Sequence, residues 1–166
     1  MPAITADGPL KVLLADDSPD NRLLIRAYMK KSPYRLTEAE NGQIALERFI
    51  QGSFDVVLMD VQMPVLDGYS AVRAIRKWET EHSRSRTAII ALTASALDGD
   101  VQRAKEAGCD VHVSKPVKKA TLMKAIAQAI KAVKATVADA NDGTESPPIA
   151  SATAVETTDP GALRFP

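Results

Sequence analysis

The sequence predicts a doubly wound α/β domain, with a five-stranded parallel sheet in the order 2-1-3-4-5 and helices on both faces. Three observations carry that expectation. Short apolar runs alternate five times with stretches of helical period between residues 10 and 137. Most of these runs are continuously apolar, as strands covered on both faces must be. The second run alone is polar, which suits a sheet edge, and right-handed crossovers place it outside the first strand.

Leu10–Ala15 is a short apolar run that ends abruptly at Asp16 and Asp17. Ser18-Pro19 opens a helix with apolar residues from Leu23 to Met29, Ser or Asp serving as cap and Pro sitting in the first turn. Arg35–Glu40 is the polar strand, broken by Asn41-Gly42; the following helix pairs Ala45 with Phe49 and Leu46 with Ile50 at i, i+4. Phe54–Met59 is the purest buried run and ends at Asp60. A loop with Met63-Pro64 and Asp67-Gly68 precedes a helix marked by Tyr69, Val72, Ile75 and Trp78. Thr87–Leu92 is the fourth strand, ending at Thr93, and a polar helix over 98–107 stops at Gly108, a residue suited to the turn after a helix. Val111–Ser114 is the last strand, followed by Lys115-Pro116. Leu122, Ile126, Ile130, Val133 and Val137 then mark one face of a long final helix.

The composition is that of an ordinary globular chain, with 45% apolar and 25% charged residues, which excludes a wholly disordered protein. Lys+Arg and Asp+Glu both total 21, arguing against a protein that coats nucleic acid or anionic membrane. The balance is uneven along the chain. Residues 136–166 hold five acids against the single base Arg164, leaving 20 bases and 16 acids before them. With four of the ten prolines and little to bury, 138–166 is expected to be a disordered acidic tail rich in Pro, Ala and Thr. Leu163-Arg164-Phe165 is its one sticky point. Residues 1–9 are expected to be a flexible lead into the domain at 10–137. The single Cys109 cannot form an internal disulfide, no apolar run approaches the ~18 residues of a membrane span, and Met1–Pro9 lacks the apolar core of a signal peptide. A soluble cytoplasmic protein is the expectation.

Ligands of doubly wound sheets bind outside the carboxyl ends of the strands. The sequence places Asp16 and Asp17 there after strand one, Asp60 after three, Thr93 after four and Lys115 after five. Any one Asp after a strand is explained by capping the next helix, and Thr93 or Lys115 alone would be an ordinary loop residue. Three acids converging on one rim repel one another unless a cation joins them. Oxygen donors without His or Cys favour a hard ion, Mg²⁺ rather than Zn²⁺. Mg²⁺ with open positions, an ammonium and a hydroxyl describe phosphoryl transfer. No phosphate-cradling glycine loop follows strand one, so nucleotide binding has no support. Ser18 and Thr93 lack a positioned His base, whereas a carboxylate needs none; Asp60, alone at the end of the third strand, is the nucleophile of choice.

The segments LLADDSPDN, VVLMDVQMPVLDGY, IIALTAS and VSKPV, in this order and spacing, resemble the receiver domain of two-component response regulators, a flavodoxin-like fold. They are most similar to receivers attached to hybrid histidine kinases, and the resemblance covers about residues 10–135. It implies that Asp60 takes a phosphoryl group from a phosphohistidine on a histidine kinase or histidine phosphotransfer protein. It implies Mg²⁺ held by Asp17, Asp60 and the backbone carbonyl of Gln62, with Asp16 ligating directly or through water. Lys115 would hold a phosphoryl oxygen, before a cis bond to Pro116. Thr93 would move toward the phosphoryl group while the residue three before Lys115 rotates inward. That residue is often Tyr or Phe and is here His112, which a plain surface position would equally explain. The fourth helix, fifth strand and fifth helix would form the readout face, with an unidentified protein as target and no nucleic acid or membrane involved.

At about 100° per residue, the apolar residues of the first helix cover an arc near 240°, wider than one buried face requires. The resemblance docks the donor's four-helix bundle there, with Leu23 and Ala27 as outward contacts; a helix packed between two neighbours is the alternative. Gln62 and Ser95 occupy positions that tune hydrolysis of the acyl phosphate in this family, and an acyl phosphate of ordinary lifetime is expected. A free-standing relay or sink is the first expectation, for which Met1 and the absence of a preceding linker argue; a receiver cut from a hybrid kinase is the second. Phosphatases of the haloacid-dehalogenase type also combine Asp, Thr, Lys and Mg²⁺, but they place a second acid two residues after the nucleophile, where this chain has Gln62. His82 is expected to be a solvated residue.

Overall fold

The computed structural model describes residues 8–143 except Ala96. Five strands and five helices alternate strictly: β1 Leu10–Ala15, α1 Pro19–Met29, β2 Tyr34–Ala39, α2 Gly42–Gln51, β3 Val56–Asp60, α3 Gly68–Glu81, β4 Ala88–Thr93, α4 Asp98–Ala107, β5 Val111–Ser114 and α5 Lys119–Gly143. All strand pairs are parallel, in the order β2-β1-β3-β4-β5, so the sheet is the one the apolar pattern predicts and the polar strand is at an edge. Among the described residues no helix is long and apolar enough to cross a membrane.

Strand residues alternate between two cores. Leu13, Val57, Met59, Ile89 and Ala91 face α2, α3 and α4, whereas Val12, Leu14, Leu58, Ile90 and Leu92 face α1 and α5. Period-two alternation explains why both sets are apolar: each face of the sheet has its own cover. On α1 only Ile25 and Met29 are buried; Leu23 is 57% exposed, Leu24 is 39% exposed and Ala27 is also exposed. The surplus of the apolar arc therefore faces out, and packing of α1 between two neighbours is not what it serves.

Four boundaries differ from the sequence expectation, each for a local reason. β4 runs Ala88–Thr93 rather than from Thr87, whose N–H donates to the Glu79 carboxylate at 2.8 Å. β3 starts at Val56 rather than Phe54 because the Asp55 carboxylate, not a strand carbonyl, accepts the Lys11 N–H at 2.8 Å. β2 is shifted one residue earlier, since Ala39 is the last residue paired with β1 and Asn41 caps α2 by accepting the Ile44 N–H. α5 is helical through Gly143, so the expected tail boundary at 138 is corrected: Ala132, Ala135, Ala138 and Ala140 are strong helix formers that a compositional reading counts as tail. The compact body ends at Lys134, and a second unit begins at Ala135. Residues 1–7 and 144–166, including Leu163-Arg164-Phe165, lie outside the described residues.

Gly108 and Gly68 are among the glycines that geometry requires. Gly108 ends α4 at φ 112°, in the left-handed region, with its N–H bonded to the carbonyls of Ala104 and Lys105. Gly68 opens α3 so close to the strand before it that a Cβ would collide with the Asp60 carbonyl oxygen and lie 2.8 Å from Val61 Cα. The close approach brings the Gly68 N–H to the Val61 carbonyl at 2.8 Å and fixes the loop that leaves Asp60. Gly68→Ala should therefore destabilise the fold by about 1–3 kcal/mol, as overpacking against backbone does. An unchanged urea unfolding midpoint would contradict this packing.

Candidate functional site

The carboxyl ends of β1, β3, β4 and β5 deliver Asp16, Asp60, Thr93 and Lys115 to one rim, as strand-end placement predicts. Asp16, Asp60 and Thr93 are buried, at 0%, 3% and 3% exposure, while Asp17 is exposed. One carboxylate oxygen from each of Asp16, Asp17 and Asp60 lies within 4.8 Å of the others. The Lys115 ammonium reaches into the cluster, 3.0 Å from Asp60 Oδ1 and 3.3 Å from Asp16 Oδ2. Lys115 itself is placed by its N–H, which donates to the Thr93 carbonyl at 2.7 Å, and by the cis peptide bond to Pro116.

The β1–α1 turn builds the acidic end. Asp16 accepts the Ser18 N–H at 2.8 Å and the Asn21 amide at 3.3 Å, while Arg22 donates to its carbonyl oxygen at 2.6 Å. Ser18, not Asp17, caps α1 by accepting the Asn21 N–H, so the capping explanation for Asp17 does not apply. Asn21 and Arg22 are supporting residues that the strand-end argument misses, because they act from the first helical turn. Gln62 donates its N–H to Asp60 Oδ1 at 3.2 Å. The Thr93 hydroxyl donates to the Ser95 carbonyl at 2.7 Å and is thus turned to the β4–α4 loop rather than to Asp60. His112 is half-buried on the edge strand, opposite Ala91 in register. Cys109 has no part in the site: burial pushes its thiol up to about 12, where it stays protonated.

Burial is the largest influence on Asp60 and pushes its carboxyl up to about 6; the hydrogen bond from Lys115 opposes this and the charge of Asp16 adds to it. For Lys115, burial works to lower the ammonium, but the hydrogen bond and charge of Asp60, joined by Asp16, win and raise it. Three acids against one ammonium leave a deficit of positive charge, and all the donors are hard oxygens. The set fits a divalent oxygen-seeking cation such as Mg²⁺ and offers no soft ligand for another.

The displaced Asp60 titration has a consequence for folding. The folded protein holds this proton more tightly than the unfolded chain, so the contribution of Asp60 to stability is greatest below the ordinary carboxyl range and is lost as pH rises through about 6. With divalent ions chelated, Asp60→Asn should be more stable than the parent at pH 8 by about 1–3 kcal/mol, with the advantage shrinking toward pH 4. Urea midpoints across pH check this, and equal stability at pH 8 would contradict it.

A family profile described as the response regulator receiver domain matches residues 12–127. Among curated proteins, the chain is 41% identical over 114 residues to hybrid signal transduction histidine kinase M of Dictyostelium discoideum, covering 68% of this chain and 5% of that protein. It is 36% identical over 125 residues to the sensor protein GacS of Pseudomonas syringae, covering 75% of this chain and 14% of that one. The chain thus spans a small part of these relatives. Among solved structures, it is similar to the receiver domain of the sensor histidine kinase PA1611 from Pseudomonas aeruginosa, whose active-site cleft coordinates a magnesium ion. That match has a TM-score of 0.66 at 38% identity, covering 74% of this chain and 98% of the other. It is also similar to the co-crystal structure of the Saccharomyces cerevisiae phosphotransfer protein Ypd1 and the receiver domain of its downstream response regulator Ssk1. There the TM-score is 0.69 at 30% identity, with 72% and 87% covered. With the sheet order, the acidic rim and this kinship in agreement, the chain belongs to the response regulator receiver domain family.

Proposed function

We propose that this receiver accepts a phosphoryl group on Asp60 from a phosphohistidine and relays the signal by a change in the β4–α4 loop and the adjoining face. The observation that carries the reading is Lys115, bridging a buried Asp60 and Asp16 beside a third acid. In this reading Asp17, Asp60 and the Gln62 carbonyl would hold Mg²⁺, with Asp16 ligating directly or through water. Bound there, the ion would supply positive charge to the phosphoryl oxygens and offset the crowding of the acids. Support comes from the donor set itself and from the magnesium in the similar Pseudomonas receiver.

An Asp60 oxygen attacks phosphorus, the phosphorus–nitrogen bond of the donor breaks, and the departing imidazole keeps its electron pair and takes a proton. The product is an acyl phosphate on Asp60. Oδ1 already accepts from Lys115 and the Gln62 N–H, which leaves Oδ2 as the oxygen with a free lone pair toward the donor. Lys115 then follows the charge from the carboxylates to a phosphoryl oxygen. Thr93 reaches another only by releasing the Ser95 carbonyl, so phosphorylation and rearrangement of the β4–α4 loop are one event. His112, half-buried on β5 opposite Ala91, would take up the space that Thr93 vacates.

The exposed Leu23 and Ala27 on α1 supply an apolar landing strip for a donor of the histidine phosphotransfer type, and the complex of a similar receiver with Ypd1 supports that choice of partner. Kinship with receivers of hybrid kinases supports a relay role over direct control of DNA. A cytoplasmic site of action and a module without turnover belong to the same reading.

Incubation with acetyl phosphate and Mg²⁺ tests it. The parent should take up one label per chain, Asp60→Asn and the chelated parent none, and Lys115→Ala should be labelled about 100-fold more slowly, as expected for loss of a charge-stabilising donor. Release of phosphate much faster than decay of the label on the parent would indicate a phosphatase instead. The label on the parent should outlast a few seconds once donor is removed, since neither Gln62 nor Ser95 is an acid that could activate water.

A further inference from the structure

At the other end of the sheet from Asp60, beneath the amino-terminal ends of the strands, lies a cavity of about 660 Å³. That size suits a small organic ligand. Its walls are apolar and aromatic: Phe54 and Trp78 on one side, Leu10, Ile126 and Ile130 on the other. Three cations stand around it. The Arg84 guanidinium lies 5.4 Å from the centre of the Trp78 ring, and Lys131 and Lys134 project from one face of α5, three residues apart. None of the three has an ion-pair partner among the described residues.

The one acid and the remaining cation of the wall each have a partner. Asp55 is the single acid there, and its Oδ2 accepts the Lys11 N–H. Arg86 is tied to Asp110 and to the Gly108 carbonyl. Among the residues lining this cavity, three cations of like sign thus lack an ion-pair partner and stand around an apolar space. Solvated lysines on a helix are unremarkable alone; beside an aromatic wall they complement a molecule with an apolar body and a negative head.

We propose that this cavity binds a small amphipathic anion, an aromatic or alkyl body carrying one carboxylate or sulfonate. The body lies against Trp78, Phe54 and Ile130, and the head group meets Arg84, Lys131 and Lys134. Nothing in the phosphoacceptor reading requires this site, and its residues lie outside the acidic rim.

The test uses the full chain and 1-anilinonaphthalene-8-sulfonate, an aromatic anion that fluoresces when its ring system is desolvated. Trp78 is the only tryptophan and lines the cavity, so binding there quenches its emission by energy transfer. The expected result is saturable binding with Trp78 quenching, displaced by decanoate but not by decanol. The Lys131→Glu/Lys134→Glu variant should bind about tenfold more weakly, the scale of one lost charge contact, while acetyl phosphate labels it as it does the parent. Both lysines are exposed, so the fold tolerates the change; if circular dichroism shows otherwise, the decanoate and decanol comparison on the parent decides. Absence of saturable binding, displacement by decanol as readily as by decanoate, or unchanged affinity in a folded variant would each overturn the assignment.

Discussion

Two buried carboxylates, Asp16 and Asp60, share one ammonium, and the site follows from that shortage of positive charge. Lys115 lies 3.0 Å from one and 3.3 Å from the other, yet Asp60 is still pushed up to about 6 by burial. A site so arranged is poised in two respects. It would gain by recruiting a divalent cation, and on the proposed reading it would gain again if Asp60 exchanged a poorly solvated negative charge for a phosphoryl group whose oxygens lie farther out. The crowding of charge is local, and the rest of the sheet is packed on both faces by apolar residues.

On the proposed reading, the same corner would turn a chemical event into a mechanical one. Thr93 spends its hydroxyl on the Ser95 carbonyl, two residues into the loop that leads to α4. That helix starts at Leu97 without a side-chain cap and buries only Ala104 and Ala107. Its far end is held firmly by contrast. Gly108, Asp110, Arg76, Glu79 and Arg86 form a half-buried network that ties the α4–β5 turn to α3 and β4, with Asp110 accepting from two arginines and the Ile89 N–H. A helix anchored at its carboxyl end and loosely begun at its amino end is suited to change at the end nearest Asp60.

Much of this was legible because strand ends are easy to read. Continuous apolar runs such as VVLM stop where the chain leaves the sheet, and the polar residue at each stop is the one the rim receives; Asp16, Asp60, Thr93 and Lys115 were found that way. Residues that act across elements were not. Asn21 and Arg22 support Asp16 from a helix whose own periodicity explains them, and Asp110 reads as a turn residue until its two arginines, 24 and 34 positions away, are seen around it. The length of α5 was missed because alanine serves a helix and a low-complexity tail equally well in a count of residues. Val65, at φ 71° and 79% exposed, is a β-branched residue in the left-handed region that no pattern announces, and the fold supplies no reason for it.

The central claim is that Asp60, and no other group of the acidic rim, becomes the acyl phosphate, and that it does so only with a divalent ion in place. Borohydride reduction of the labelled protein converts an aspartyl phosphate to homoserine, which peptide mass spectrometry locates directly. Homoserine at position 60 alone, formed in the presence of Mg²⁺ and absent under chelation, is the predicted result. Reduction at position 16 or 17, a phosphate ester on Ser18 or Thr93, or modification of position 60 without any divalent ion would contradict the account.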